Sequence, residues 1–303
     1  MAAIHIEPPP VHDRTPEPST PLPPLPPQSD GEASAIAIAR RNFSETVGEA
    51  LRTFGRLVDM AWETLRGIVT DMLALRFPGR EMLRQAWYLV TVTTIPAILM
   101  AVPFGVVVSV QIGNLIHQLG ADSLVGAAGG LGVIQQAAPI ATGLLLGGAG
   151  ASAIAADLGA RTIRDEIDAL RTMGINPVNR LVAPRVVAML MIAPLLNVLI
   201  IFVGIVSGYA IAIGPQHVTP GSYWATFGSF AVVTDVWISL AKAMLFGFIV
   251  VIVACQRGLE AKGGPRGVAD GVNAAVVLSV AAVIVVNLVI TQVVTMFLPV
   301  RVA

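Results

Sequence analysis

The stretch "VVAMLMIAPLLNVLIIFVGIVSGYAIAI", Val186–Ile213, contains no charged side chain. A helix that crosses a bilayer needs about 20 predominantly apolar residues, and this run exceeds that length. Outward from it, the same pattern recurs. Residues 85–121, 123–156 and 271–300 carry no Asp, Glu, Lys or Arg, and 236–256 carry only Lys242. These stretches supply five spans, at about 88–115, 138–158, 186–213, 236–256 and 271–298. Two pieces are left over. Residues 123–137, "SLVGAAGGLGVIQQA", read as a Gly-rich loop or short interfacial piece. Residues 214–234, which include "GPQHVTPGSYW", read as turns with an aromatic anchor.

The bulk composition of the 303 residues agrees. Apolar residues make up 55% and charged residues 13%, against roughly 25% charged in ordinary globular chains. Mean hydropathy is +0.76. A lipid-covered surface accounts for such a balance. The net charge is zero, so no nucleic-acid partner is expected. Cys255 is the one cysteine and reads as a small buried hydrophobe. His5, His12, His117 and His217 have no partners at metal-ligand spacing, so no metal site is expected. The opening residues lack the basic-then-apolar order of a signal peptide, so targeting is expected to come from the spans themselves.

Before the spans lie two further regions. Half of the residues from Pro8 to Pro27 are proline, which excludes regular helix or central strand. Residues 1–35 are therefore expected to be a disordered Pro-rich tail. Residues 36–84 contain an apolar stripe, Phe43, Val47, Leu51, Phe54, Val58, Trp62, Leu65, Val69 and Met72, at steps of three and four. Charged residues lie opposite. This helix is too charged to cross a bilayer and is expected to lie along one, with Trp62 at headgroup level. The five-span domain then occupies 85–303.

Arginine placement sets orientation. Arg161, Arg164, Arg171, Arg180 and Arg185 fall in one connection, and Arg257, Lys262 and Arg266 in another; the two remaining connections carry none. The N-terminus and both basic loops are expected to be cytoplasmic. Between spans two and three stands "RDEIDALRTMGINP", Arg164–Pro177. With 100° per residue from Ile163, Ile167, Leu170 and Gly174 share a face. Glu166 borders it beside Met173. Arg164, Asp168 and Arg171 lie on one flank, at spacings that allow pairing. Asn176-Pro177 is expected to stop this helix, of about 161–177. An apolar face held between two spans is suited to docking, either on its own membrane or on a soluble partner that pushes it.

Chemistry is sparse. No G-x-x-x-x-G-K-[ST] loop is present, so ATP binding of that kind is not expected in this chain. No catalytic residues are assigned. Lys242 is the one cation inside the spans. It either snorkels outward or contacts a lipid headgroup in a central cavity. Gly147, Gly148 and Gly150 allow close helix packing, within the chain or across a dimer. Asp157, Arg161 and Arg185 are placed to form an ion pair that fixes the two ends of the loop.

"GGAGASAIAADLGARTIRDEIDALRTMGINPVNRLVAPR", Gly147–Arg185, closely resembles the signature of the MlaE/YrbE permeases, the membrane subunits of Mce-type ABC lipid transporters. Asp157 stands where that family often has Glu. The long tail suggests the actinobacterial YrbE branch. The resemblance implies an all-α membrane protein with an N-terminal interfacial helix, five transmembrane helices and a cytoplasmic coupling helix, in the inner (plasma) membrane. It implies that Glu166, Ile163, Ile167, Leu170, Arg171, Met173, Gly174 and Pro177 belong to the segment seated in a separate cytoplasmic ATPase, which would hold the ATP and Mg. No cofactor is expected in this chain, and it is not expected to be an enzyme. The resemblance further implies a second YrbE-type permease chain as a heterodimer partner, Mce proteins as an external conduit, and a lipid or fatty-acid-like substrate. A secondary transporter, a channel or a non-transporting scaffold of a lipid-transfer complex are the alternatives.

Overall fold

The computed structural model describes residues 52–70, 79–121 and 124–297. The Pro-rich tail and the first part of the amphipathic stripe, through Leu51, lie outside the described residues, as does Met72. Every described element is helical. We number the helices in chain order: α1 (52–70), α2 (Gly79–Gln118), α3 (Val125–Thr162), α4 (Glu166–Thr172), α5 (Val178–Ile213), α6 (Pro220–Phe230), α7 (Val233–Leu259) and α8 (Pro265–Phe297).

Five of these, α2, α3, α5, α7 and α8, are long and apolar enough to cross a membrane. They alternate in direction. α3 and α7 are the most enclosed, while α2 and α8 turn most of their surface outward. α2 packs along α5, and α3, α7 and α8 pack on one another, with α5 against α7. The core between them is built from Leu146, Leu158, Val186, Met189, Phe246 and Val250. Lipid hydrocarbon is as apolar as these side chains, so close packing rather than hydrophobicity drives helix association here.

α2 and α5 approach each other closely. A Cβ on Gly105 would meet the Gly204 carbonyl oxygen and, at 2.8 Å, the Gly204 Cα. Four residues on, a Cβ on Gly208 would meet the Ser109 hydroxyl and, at 3.5 Å, the Gly105 carbonyl oxygen. The small residues expected to pack span two behave differently. Gly147 faces Val280 and Ser279 of α8 at 3.3–3.5 Å, and Gly150 faces the Met189 methyl of α5 at 3.3 Å. A Cβ on Gly148 would meet nothing within 4 Å among the described residues, so this position leaves room beside α3.

α1 has two apolar faces. Thr64, Gly67 and Ile68 are buried, with Leu57, Met60 and Ala61 half-buried beside them. Phe54, Val58, Trp62, Leu65 and Val69, the stripe anticipated for the membrane surface, are exposed. The helix thus packs on the bundle along one line and presents a second apolar line outward, as an interfacial helix must.

Two sequence expectations fail. Residues 124–137 are not a loop but the first turns of α3. The glycines there serve close approach rather than turning: a Cβ on Gly126 would meet the Tyr223 carbonyl of α6, and one on Gly130 the Phe227 ring. Similarly, 214–234 is not all turn. Pro220 occupies the first turn of α6, where its missing N–H costs nothing.

The connection between α3 and α5 also differs. It is not one helix over 161–177. Asp165 adopts φ +58° and breaks the chain direction after α3. The short α4 then ends at Gly174, φ +74°, in a pair of capping bonds from Ile175 N–H to the Leu170 carbonyl and from Gly174 N–H to the Arg171 carbonyl. Asn176-Pro177, expected to stop that helix, instead starts α5. The Asn176 side-chain oxygen accepts the Val178 N–H at 2.9 Å, and Pro177 supplies a ready-made φ.

Candidate functional site

Two groups of polar side chains stand out in this apolar bundle. One lies at the arginine-rich end and the other within the spans.

At the arginine-rich end, Asp157 closes α3 and Arg185 lies in the first turns of α5. Arg185 is 1% exposed. Its Nη2 pairs with Asp157 Oδ2, and its Nη1 donates to the Leu181 carbonyl at 2.5 Å. The other Asp157 oxygen accepts from Arg161 Nε at 3.3 Å. Arg161 continues to Glu166 at 3.7 Å, and Arg164 reaches the other Glu166 oxygen at 3.0 Å. An unbroken ion-pair chain therefore runs from the root of α5, through the end of α3, to the first turn of α4. Asp157, Arg161 and Arg185 are brought together as their spacing suggested. Arg164 turns to Glu166 instead of joining Asp168 and Arg171, which pair alone at 2.9 Å.

The docking face drawn by periodicity is revised. Ile167 is 3% exposed and packs within the chain, while Ile163 and Leu170 are half-buried. The exposed apolar side chains are Met173, at 64%, and Ile175, at 41%. The reason is the left-handed Asp165: Ile163 lies before the break and Ile167 after it, so a single helical wheel cannot relate them. Glu166 has partners within its own chain, so no basic residue of another protein is needed to balance it. Arg171 is exposed, and Pro177 is half-buried at the start of α5.

α1 is tied to this end. Asn176 Nδ2 donates to Glu63 Oε1 at 2.8 Å, Gly67 lies directly under the Asn179 side chain, and Arg56 pairs with Glu260 at the end of α7 at 3.5 Å. Thr162 Oγ1 reaches the Gly258 carbonyl at 3.2 Å, linking the ends of α3 and α7.

Within the spans, Lys242 is 4% exposed. Its ammonium donates sideways to the Gln135 carbonyl at 3.3 Å and to Thr291 Oγ1 at 3.1 Å. The expected alternative of outward snorkelling is not what the side chain does. Gln135 lies in a π-helical turn, Val133–Ala137, whose wider register leaves carbonyls open to other donors. A neutral tier lies beside it. Asn197 Nδ2 donates to Ser239 Oγ at 2.8 Å, and Thr142 Oγ1 lies 3.2 Å from Asn197 Oδ1. These residues were not singled out from sequence. Their one signal was isolation: single polar residues in otherwise apolar spans, where each must find a partner.

At the opposite end from the arginines, Tyr209, Tyr223, Trp224 and Phe227 form an aromatic cluster with centroids 5.1–5.8 Å apart, edge-to-face except for the tilted Tyr209–Trp224 pair. Burial raises the Tyr223 pKa, with Tyr209 adding to the effect, so its hydroxyl stays protonated at neutral pH.

Five membrane-length helices, one interfacial helix and a short ion-paired helix at one end define a multi-pass membrane protein. The chain belongs to the MlaE permease family, whose pattern it matches over residues 82–293. A probable ABC transporter permease protein of Synechocystis sp. is 31% identical over 183 residues, which cover 60% of this chain and 70% of that protein. A probable ABC transporter permease protein of Rickettsia typhi is 25% identical over 256 residues, 83% of this chain and 97% of that protein. The intermembrane phospholipid transport system permease protein MlaE of Haemophilus influenzae is 23% identical over 253 residues, 83% of this chain and 97% of that protein.

Proposed function

We propose that this chain is the membrane subunit of an Mce-type ABC transporter that moves a lipid or fatty-acid-like molecule, energised by a separate ATPase. The observation that carries the reading is the end of the bundle built by α3, α4 and α5. It presents Met173 and Ile175 outward just past the end of a short helix whose root is fixed by the Asp157–Arg185 and Arg161–Glu166 pairs. A partner that pushes α4 would move α3 and α5 together, because the ion pairs join all three. The lipid cargo is supported by the family match and by the phospholipid transport named for the Haemophilus relative. It is also supported by Lys242, among the described residues the one buried cation in the spans that pairs with no carboxylate, which we assign to contact with that cargo.

In this reading the arginine-rich end faces the cytoplasm of an inner-membrane protein, with the N-terminus on the same side. The ATP and Mg belong to the ATPase. A second YrbE-type permease chain completes the transport path, with Gly148 available to that interface, and Mce proteins continue it outside.

Met173→Glu tests the docking. The carboxylate would be desolvated in the groove, and loss of an apolar anchor of this kind weakens an interface by about 30-fold or more. Tagged Met173→Glu should insert and fold normally yet lose its ATPase on co-purification, while Asp168→Ala, at an exposed pair, should retain it. Retention of the ATPase by Met173→Glu would remove α4 as the coupling element.

A further inference from the structure

The charge on Lys242 is the unresolved quantity in the spans. At 1.5 Å per residue, Lys242 stands about 9 Å inside a span that begins near Val236, about a third of the way into a hydrocarbon layer of about 30 Å. A cation at that depth is expensive, and pairing with an anion is the usual remedy. Among the described residues no carboxylate lies within ion-pairing distance of it. The nearest link to one is indirect: Gln135 Nε2 donates to Asp235 Oδ1 at 3.1 Å, while the Gln135 backbone carbonyl accepts from Lys242. Two neutral acceptors serve three ammonium protons, so one N–H is unused.

The surroundings of Lys242 are also unusual. Gln135 is exposed on a membrane span, and Gln136, Thr291 and Asp235 are half-buried around it. Lys242 therefore lies one side chain beneath a polar opening in an otherwise apolar surface. One turn from Thr291 on α8, the Asn287 side-chain oxygen is buried and without a partner. The neighbouring Thr142–Asn197–Ser239 tier is joined through its own hydrogen bonds and does not draw on the lysine.

We propose that Lys242 determines cargo specificity, selecting amphiphiles that carry an acidic headgroup, phosphate or carboxylate, over zwitterionic or uncharged ones. The anion displaces the Gln135 carbonyl or Thr291 hydroxyl from the ammonium and supplies the missing negative charge. Return of the π turn to ordinary helical register takes the released Gln135 carbonyl back into the helix. The inference rests on the lipid-permease reading above and adds the chemical class of the cargo.

The test uses the purified complex in an uncharged detergent. Dioleoyl phosphatidic acid, oleate, dioleoyl phosphatidylcholine and dioleoylglycerol are titrated separately, and binding is read by native mass spectrometry and by ligand-induced thermal stabilisation. Wild type should bind phosphatidic acid or oleate about tenfold more tightly than phosphatidylcholine, as a close charge pair can provide. Which of the two binds identifies a phosphate or a free carboxylate as the group held. The preference should vanish in Lys242→Gln and persist in Lys242→Arg and Thr291→Val. Equal binding of all lipids by wild type would overturn the inference and leave the permease reading standing, whereas no binding of any lipid would count against both. An unchanged preference in Lys242→Gln would reduce the lysine to a strut of the π turn. Dissociation of the complex in that variant, with lipid preference intact, would show that a partner chain supplies the anion.

Discussion

Asp157→Ala will sharply reduce the amount of folded protein, because it strands a cation. Arg185 is 1% exposed, and with Asp157 removed no other described carboxylate pairs with its guanidinium. Breaking a buried pair by removing one partner costs about 3–5 kcal/mol, a large fraction of the roughly 5–15 kcal/mol that holds a typical domain together. Thermal unfolding followed by size-exclusion profile should show early loss of the monodisperse peak. The double variant Asp157→Leu, Arg185→Leu should recover much of that loss, since well-packed apolar residues often replace a buried pair without penalty. The recovered protein should nevertheless fail to transmit motion from α4, because the ion-pair chain to Glu166 starts at Asp157. An unfolding temperature for Asp157→Ala equal to wild type would show that the pair is incidental.

Gly105→Val should be at least as damaging, for a different reason. The added carbons fall on the Ser207 hydroxyl, which can rotate away, and on backbone atoms of Gly204, which cannot. Overpacking usually costs about 1–3 kcal/mol, and more when backbone must shift. Because α2 packs chiefly along α5, separation of the two should release the first span. Gly148→Val provides the control. A Cβ there would meet nothing within 4 Å among the described residues, so the chain alone should keep its stability within about 0.5 kcal/mol. Normal accumulation of Gly105→Val would mean that the crossing is looser than its geometry requires.

The five spans were legible because hydrocarbon excludes charge, so runs such as Val186–Ile213 need no knowledge of neighbours. Their ends were less so. Gly126 and Gly130 looked like turn signals, yet they are helical positions where α6 approaches α3. A glycine that turns the chain and one that admits a neighbouring helix look the same in sequence. The segment after α3 shows a second limit. Its apolar spacing suggested one helix, but Asp165 is left-handed, and a single residue of that conformation resets the helical wheel. Ile167 consequently turned inward and left the outer surface to Met173 and Ile175. Lys242 marks a third limit. Its depth could be counted from the sequence, whereas its direction depends on a carbonyl released by a π turn in another span. The Asp157, Arg161 and Arg185 grouping was readable because all three sit at span ends flanking one short connection.

In the proposed mechanism this bundle moves lipid when an ATPase acts on α4. The most direct measurement reconstitutes the complete complex in liposomes carrying a fluorescent phospholipid and follows transfer of that lipid to an acceptor on addition of ATP and Mg. Transfer should require hydrolysable ATP and should be lost in Met173→Glu, although that chain still inserts. Transfer at the same rate without ATP, or full ATP-driven transfer by Met173→Glu, would contradict it.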